Sequence, residues 1–289
     1  MALTAGSSVA LTQADWPHTI TVRATGNSPD GRGARGAGAV ASRARRARHH
    51  AGTCDCTRKD LESDARLRLE GRYGAHRQRH LPGSQYRRAK GRTHAVVPGK
   101  TASKYLHYGR IILDAGDAPL RFDTKQLETG LVCLNGSATV RTGDQSFTLD
   151  RYDSLYVSRD ASIEVAPGAH GCDLAEIAAP VERTYPVQFV SFKSVQQDPG
   201  LHLNVGNAPN QRELNILIGK NVEAGRILAG VTFSAPGNWT SWPPHEHAAM
   251  LEEAYLYIDM PAPSFGLQLV YTNKNDPELA TIVRQDDVC

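Results

Sequence analysis

The chain has 289 residues, 40% of them hydrophobic, with 33 Lys+Arg against 30 Asp+Glu and a formal net charge of +3. This length and apolar content supply a sizeable core in one or two domains, and they exclude a chain disordered throughout. No run approaches the roughly 18 apolar residues of a membrane-spanning helix, which excludes that class.

The near balance of charge hides a split: residues 1–100 carry 19 Lys+Arg against 7 Asp+Glu, and residues 101–289 the other 14 against 23. Residues 1–11 (MALTAGSSVAL) have neither a basic leader nor a sustained apolar stretch, so no secretory signal is expected and the cytoplasm is the default compartment. The five cysteines, Cys54, Cys56, Cys133, Cys172 and Cys289, are odd in number and scattered, unlike a disulfide framework.

Residues 1–100 form the first segment. GRGARGAGAVASRARRARHH (31–50) mixes Gly, Ala and Arg with no apolar period, so little surface is on offer to offset the entropy of ordering. Poor order is expected here, apart from a local helix over 58–70, where opposite charges fall three and four apart. The segment reads as a basic arm for a polyanion, or as out-of-frame translation of GC-rich DNA. It has no recognisable nucleic-acid motif, and nucleic acid is not an expected partner. Cys54-Asp-Cys56 with His49 and His50 lacks zinc-finger spacing.

From residue 101 the chain turns to short apolar runs punctuated by Gly, Asp, Asn and Pro. The pattern predicts strands over 105–113, 129–136, 137–143, 146–150, 153–158 and 162–167, then over 187–194, 212–219, 225–234, 251–260 and 265–273. Turns are expected at Asn135-Gly136, Gly143-Asp144, Pro167-Gly168 and Pro236-Gly237. Many short strands without a competing amphipathic helix predict an all-β sandwich or barrel. Two strand-rich halves are expected, 101–183 and 184–289, with no convincing alignment between them.

The chemistry concentrates in GNWTSWPPHEHAAMLEEAYLY (237–257). In an extended segment His245 and His247 point to one face. A Glu from the strand that follows would complete a nitrogen, nitrogen, oxygen set suited to divalent zinc, manganese, iron or nickel. Glu253 shares strand parity with Tyr255 and Tyr257, which favours it as the ligand, with Glu252 the alternative. The two tyrosines read equally well as cavity hydroxyls or as core packing.

GNWTSWPPHEH, LEEAYLY and FGLQLVYT (265–272), supported by TGLVCLNGSATV, YDSLYV, Thr184-Tyr185-Pro186 and Arg212, resemble the 5-deoxy-glucuronate isomerase family of inositol catabolism. A related family, 5-keto-4-deoxyuronate isomerase of pectin breakdown, shares the His-x-His and Glu-x-Tyr elements.

The resemblance covers about residues 103–289 and implies a bicupin. Its first half would be structural, and its second would hold a divalent metal on His245, His247, Glu253 and a further His. No His follows His247, so the second half is expected to be truncated, with Cys289 mobile at its end. The implied reaction is aldose–ketose interconversion of a sugar acid.

The expected proton-transfer candidates are Glu252, Tyr255 and Tyr257. Arg212 is expected to meet the substrate carboxylate, or equally to form a structural salt bridge, and Gln268 to orient substrate from a cavity-facing position. His107, His170 and His202 are expected to be ordinary surface or turn residues. A homo-oligomer is expected, supported by the first half. A non-catalytic cupin binding module and a defective gene product are the competing readings.

Overall fold

The computed structural model describes residues 7–13, 18–25, 89–235, 237–241, 245, 251–271 and 279–289. Ten strands come first: β1 (Ser7–Gln13), β2 (His18–Thr25), β3 (Gly91–Val96), β4 (His107–Leu113), β5 (Leu120–Asp123), β6 (Leu127–Thr142), β7 (Gln145–Leu149), β8 (Ser154–Val157), β9 (Ser162–Pro180) and β10 (Gln188–Val190). A short helix, α1 (Phe192–Gln197), follows. Then come β11 (His202–Val205), β12 (Arg212–Ile218), β13 (Ile227–Ser234), β14 (Trp239–Thr240), β15 (Leu251–Ile258), β16 (Phe265–Tyr271) and β17 (Leu279–Val283). The chain is all-β, as its turn-punctuated apolar runs predict.

Strands β3 to β10 form one sheet in the order β10-β8-β6-β9-β4-β3, with β5 paired to β9 and β7 to β6. The expected turn at Asn135-Gly136 is instead a bend inside β6, where the register with β9 shifts. Strand β9 likewise runs straight through the expected turn at Pro167-Gly168. The bends coincide: Gly136 and Gly171 both take positive φ, and a Cβ on Gly136 would lie 2.2 Å from the carbonyl oxygen of Gly171. Irregularities of this kind let a strand pass from one layer of a sandwich to the other. One face of the folded sheet encloses an apolar core that includes Ile111, Leu131, Cys133, Leu155, Ile163 and Leu174.

The second half has two sheets, β11-β12-β13-β2-β15 and β14-β1-β16-β17. Here the structure departs from the expectation for residues 1–100. Strand β2 pairs along its length with β13 on one side and β15 on the other, and β1 pairs with β16 and β14. The sequence HTITVRAT (18–25) does carry a strand signature, a β-branched run over 19–22 in which apolar Ile20, Val22 and Ala24 alternate with polar residues, but the composition of the whole hundred-residue stretch submerges it. The expected helix over 58–70, and Cys54 and Cys56, lie outside the described residues. Strand β3 also places the start of the first half before residue 101.

The halves meet through an apolar joint that includes Tyr108, Val132, Ile177, Leu217, Val231 and Leu256. The pleat of β6 sends Leu131 and Cys133 into the first core and Val132 and Leu134 into the joint. With both faces buried, the run LVCL needs no polar alternation.

Two carboxylates cross this joint in opposite directions. Glu128 of β6 is fully buried, and its oxygens accept hydrogen bonds from the backbone N–H groups of Gly225, Arg226 and Ile227 and from the Tyr156 hydroxyl. Glu252 of β15 accepts from the backbone N–H groups of Lys104, Tyr105 and Leu106, at 2.6 to 2.9 Å. Between the two clasps the Arg226 guanidinium lies 4.8 Å from the Tyr105 ring centroid.

At the far end of the chain, Tyr255 and Cys289 exchange both backbone hydrogen bonds, and Tyr257 bonds Asp286 and Asp287. The edge of β15 away from β2 is therefore paired, and Cys289 is held rather than mobile as expected.

Replacing Glu128 with Ala leaves three buried N–H groups without an acceptor, each worth about 1–3 kcal/mol. Urea unfolding of Glu128→Ala is expected to show a stability loss of at least about 3 kcal/mol.

Candidate functional site

The clasps align the halves residue by residue. Leu127-Glu128-Thr129-Gly130 of β6 stands where Leu251-Glu252-Glu253-Ala254 stands in β15. The same correspondence sets Leu131 against Tyr255 and Cys133 against Tyr257. In the first half these positions close an apolar core. In the second they form a polar interior, and that contrast locates the candidate site.

Strand alternation puts Ala254, Leu256 and Ile258 into the joint. Glu253, Tyr255 and Tyr257 thus face the other way, into the second half. Tyr255 is buried, and its hydroxyl lies 3.1 Å from Ser241 Oγ. Ser241 itself has φ 62, an uncommon backbone for a residue other than glycine. Beside it Ser234 Oγ and Thr240 Oγ1 are 2.6 Å apart.

Arg212 pairs in register with Ser234, so both lie on this face. Burial lowers the pKa of Arg212, and the nearby Tyr255 opposes that effect; a guanidinium so placed stays charged at neutral pH.

Deeper in, the fully buried Tyr257 donates its hydroxyl hydrogen to Gln268 Oε1, and the amide Nε2 of Gln268 donates to Leu269 O at 3.2 Å. Burial holds the Tyr257 phenol well above its ordinary pKa, with Cys289, Tyr255, Asp287 and Glu253 pushing the same way. The Cys289 thiol packs against this cluster, and burial, aided by Asp287, raises it to about 12.

These contacts sort the expected site residues. Glu252 is committed through both oxygens to the 104–106 backbone, which removes it as proton-transfer base and as alternative ligand. Tyr257 and Gln268 are committed to each other in a closed pair, so they support the interior rather than reach a substrate. Tyr255, Arg212 and Glu253 share the face that remains. His245 is exposed, six residues before β15 begins, and His247 lies outside the described residues. Among the described residues no group of three or more His, Cys, Asp or Glu comes together as a metal cluster. His202 is engaged elsewhere, with Nδ1 at 3.0 Å from Gln196 O and Nε2 at 3.3 Å from Glu213 Oε1.

Sequence reasoning missed Ser234, Thr240 and Ser241. Small hydroxyl residues carry no pattern of their own, and only contacts between elements gather them, Ser234 of β13 with Thr240 of β14 and Ser241 with Tyr255 of β15.

The model of the KduI/IolB family matches residues 81–289. The chain belongs to the KduI/IolB family. Among curated relatives, the 5-deoxy-glucuronate isomerase of Bacillus velezensis is 30% identical over 198 residues, 62% of this chain and 70% of that protein. The same-named protein of Geobacillus kaustophilus is 26% identical over 67% of this chain and 74% of its own length. A relative from Bacillus licheniformis, 27% identical over 66% of this chain and 75% of its own, is named 4-deoxy-L-threo-5-hexosulose-uronate ketol-isomerase. An IolB-like protein of Salmonella typhimurium LT2 has the same fold, with a TM-score of 0.61 at 24% identity over 69% of this chain and 80% of that one. No helix among the described residues is long and apolar enough to cross a membrane.

Tyr257→Phe leaves Gln268 Oε1 buried without its donor, and Glu252→Ala leaves three backbone N–H groups without an acceptor. Expected losses in urea unfolding are about 1–2 kcal/mol and at least about 2 kcal/mol respectively.

Proposed function

We propose that this member of the KduI/IolB family is a sugar-acid ketol-isomerase, with 5-deoxy-glucuronate as its substrate. The single observation that carries this reading is the polar second-half interior, with Arg212, Glu253 and Tyr255 on one face, set against an apolar interior at the equivalent positions of the first half. The family match and the isomerase names of the relatives support it. The ketol-isomerase of Bacillus licheniformis favours 4-deoxy-L-threo-5-hexosulose-uronate as the second candidate substrate.

His245, His247 and Glu253 would hold a divalent ion, zinc first among zinc, manganese, iron and nickel. Two imidazoles and a carboxylate suit such an ion, and the commitment of Glu252 leaves Glu253 as the oxygen donor of β15. A bound ion supplies Lewis-acid polarisation of the substrate's carbonyl and hydroxyl oxygens.

The chain's own residues do the rest. Isomerisation moves a proton between adjacent carbons through an enediol, so a group must take and return that proton. Tyr255, with Ser241 at its hydroxyl, is the candidate to relay it. Arg212 receives the substrate carboxylate in its fork. The Tyr257–Gln268 pair keeps the wall behind Tyr255 fixed. Work in the cytoplasm and assembly as a homo-oligomer belong to the same proposal.

The test is metal content and turnover of both uronates, followed by NMR. Wild type is expected to carry about one divalent ion per chain and to convert 5-deoxy-glucuronate faster. His245→Ala is expected to lose the ion and the activity, and Tyr255→Phe to keep the ion while kcat falls about 100-fold. Unchanged metal content in His245→Ala would overturn the metal site, and no turnover of either uronate by metal-replete wild type would overturn the reaction.

A further inference from the structure

The first half, though apolar inside, has a cleft with histidine and lysine side chains in its wall at one end of its sheet. It measures about 320 Å3 and is lined by His94, Ala95, Val97, Lys100, Thr101 and His107. That volume lies at the lower end of small-ligand pockets, about 300–1,000 Å3.

The position follows from register. His107 pairs with Ala178, and Ala178 with Thr129, so all three share a face. Thr129 is the counterpart of Glu253, which puts His107 on the interior side of its half, as Glu253 is of the other. His94 pairs with Gly109, and Gly109 with Glu176. A Cβ on Gly109 would come within 3.3 Å of the His94 ring, so the glycine leaves room for that ring to lean towards Glu176.

The rim is held in place. Thr101 Oγ1 donates to Val97 O at 2.9 Å and accepts from Val97 N–H at 3.1 Å, while the N–H groups of Lys100 and Thr101 both bond Val97 O. This turn fixes the root of Lys100. Its ammonium has no ion pair among the described residues.

Charge selects the class of ligand. A carboxylate next to the cleft, Glu176, takes the fork of Arg92 at 2.7 and 2.6 Å, and His94 Nε2 stands 3.7 Å away. Its negative charge is matched, and Lys100 leaves the cleft with a net positive charge. The engaged oxygens of Glu176 also deny two imidazoles the third donor that a metal site needs. An oxyanion meets an ammonium and two imidazole N–H groups, and such charge-assisted hydrogen bonds are the strong ones.

We propose that this cleft is a second small-ligand site of the chain, one that takes the carboxylate of a sugar acid. His107 and His94 are then ligand contacts, and His107 is not the ordinary surface residue its sequence setting suggests.

The test follows the His ring resonances of the full chain by NMR during titration with D-glucuronate, and separately with inorganic phosphate and with zinc chloride. Expected are saturable shifts of the His94 and His107 rings with glucuronate, weakened about tenfold or more in Lys100→Ala and unaltered in His245→Ala. The Lys100 side chain is exposed, and circular dichroism of that variant checks that the fold is kept. Shifts at these rings that Lys100→Ala leaves unchanged would overturn the site. So would a response to zinc or phosphate without one to glucuronate, or loss of the response in His245→Ala. Because the readout is ring by ring, the outcome does not depend on whether the second half is an isomerase.

Discussion

A carboxylate shut inside a protein is tolerable only when its oxygens are filled with hydrogen bonds. This chain places one such group, Glu128, and a half-buried counterpart, Glu252, where its halves meet. Glu128 of the first half caps the N–H groups leading into β13, and Glu252 of the second caps those leading into β4. Each clasp satisfies a strand entrance that the apolar joint would otherwise leave wanting. Neither half can shift against the other without orphaning three donors. Nearby, Arg110 is almost fully buried between Asp173 and Asp286, which ties the C-terminal turn to the first half.

The clasps also expose a repeat. In the first half β3, β4, β9 and β6 lie side by side, and in the second β12, β13, β2 and β15 do so in the same order. Gly109 of β4 and Gly230 of β13 occupy matching positions, each with the neighbouring strand's carbonyl too close to admit a Cβ. In this frame β2 stands where β9 stands. An N-terminal segment supplies the strand that joins β13 to β15.

The repeat shows how one framework holds two interiors. At corresponding positions the first half has Thr129, Leu131 and Cys133, and the second has Glu253, Tyr255 and Tyr257. Backbone geometry is shared because the clasps and glycines are shared, while side-chain chemistry is free to differ. The rigid element beneath the candidate site is Glu252, whose neighbour Glu253 inherits its position from it.

Much of this was legible in the chain. Most strands from β4 to β16 announce themselves through apolar runs between turn residues, the short β5, β11 and β14 being the exceptions, and the parity of LEEAYLY separates its two faces. What escaped has physical causes. A bend inside a long strand uses the same Asn-Gly or Pro-Gly chemistry as a turn between two strands, so β6 and β9 read as shorter pieces. The stretch after Pro186 reads as one strand, yet Ser191 caps the first turn of α1 there and ends it. Strand β2 was hidden by its surroundings in composition.

The sequence by itself determined the all-β class, the family motifs and the candidacy of His245, His247 and Glu253, because residue type and spacing are local properties. Only the tertiary structure decided that Glu252 is a clasp, that Tyr257 and Gln268 bind each other, and that Cys289 is anchored. A polar side chain's role depends on which distant partner reaches it first, and that partner is chosen by sheet register across the joint.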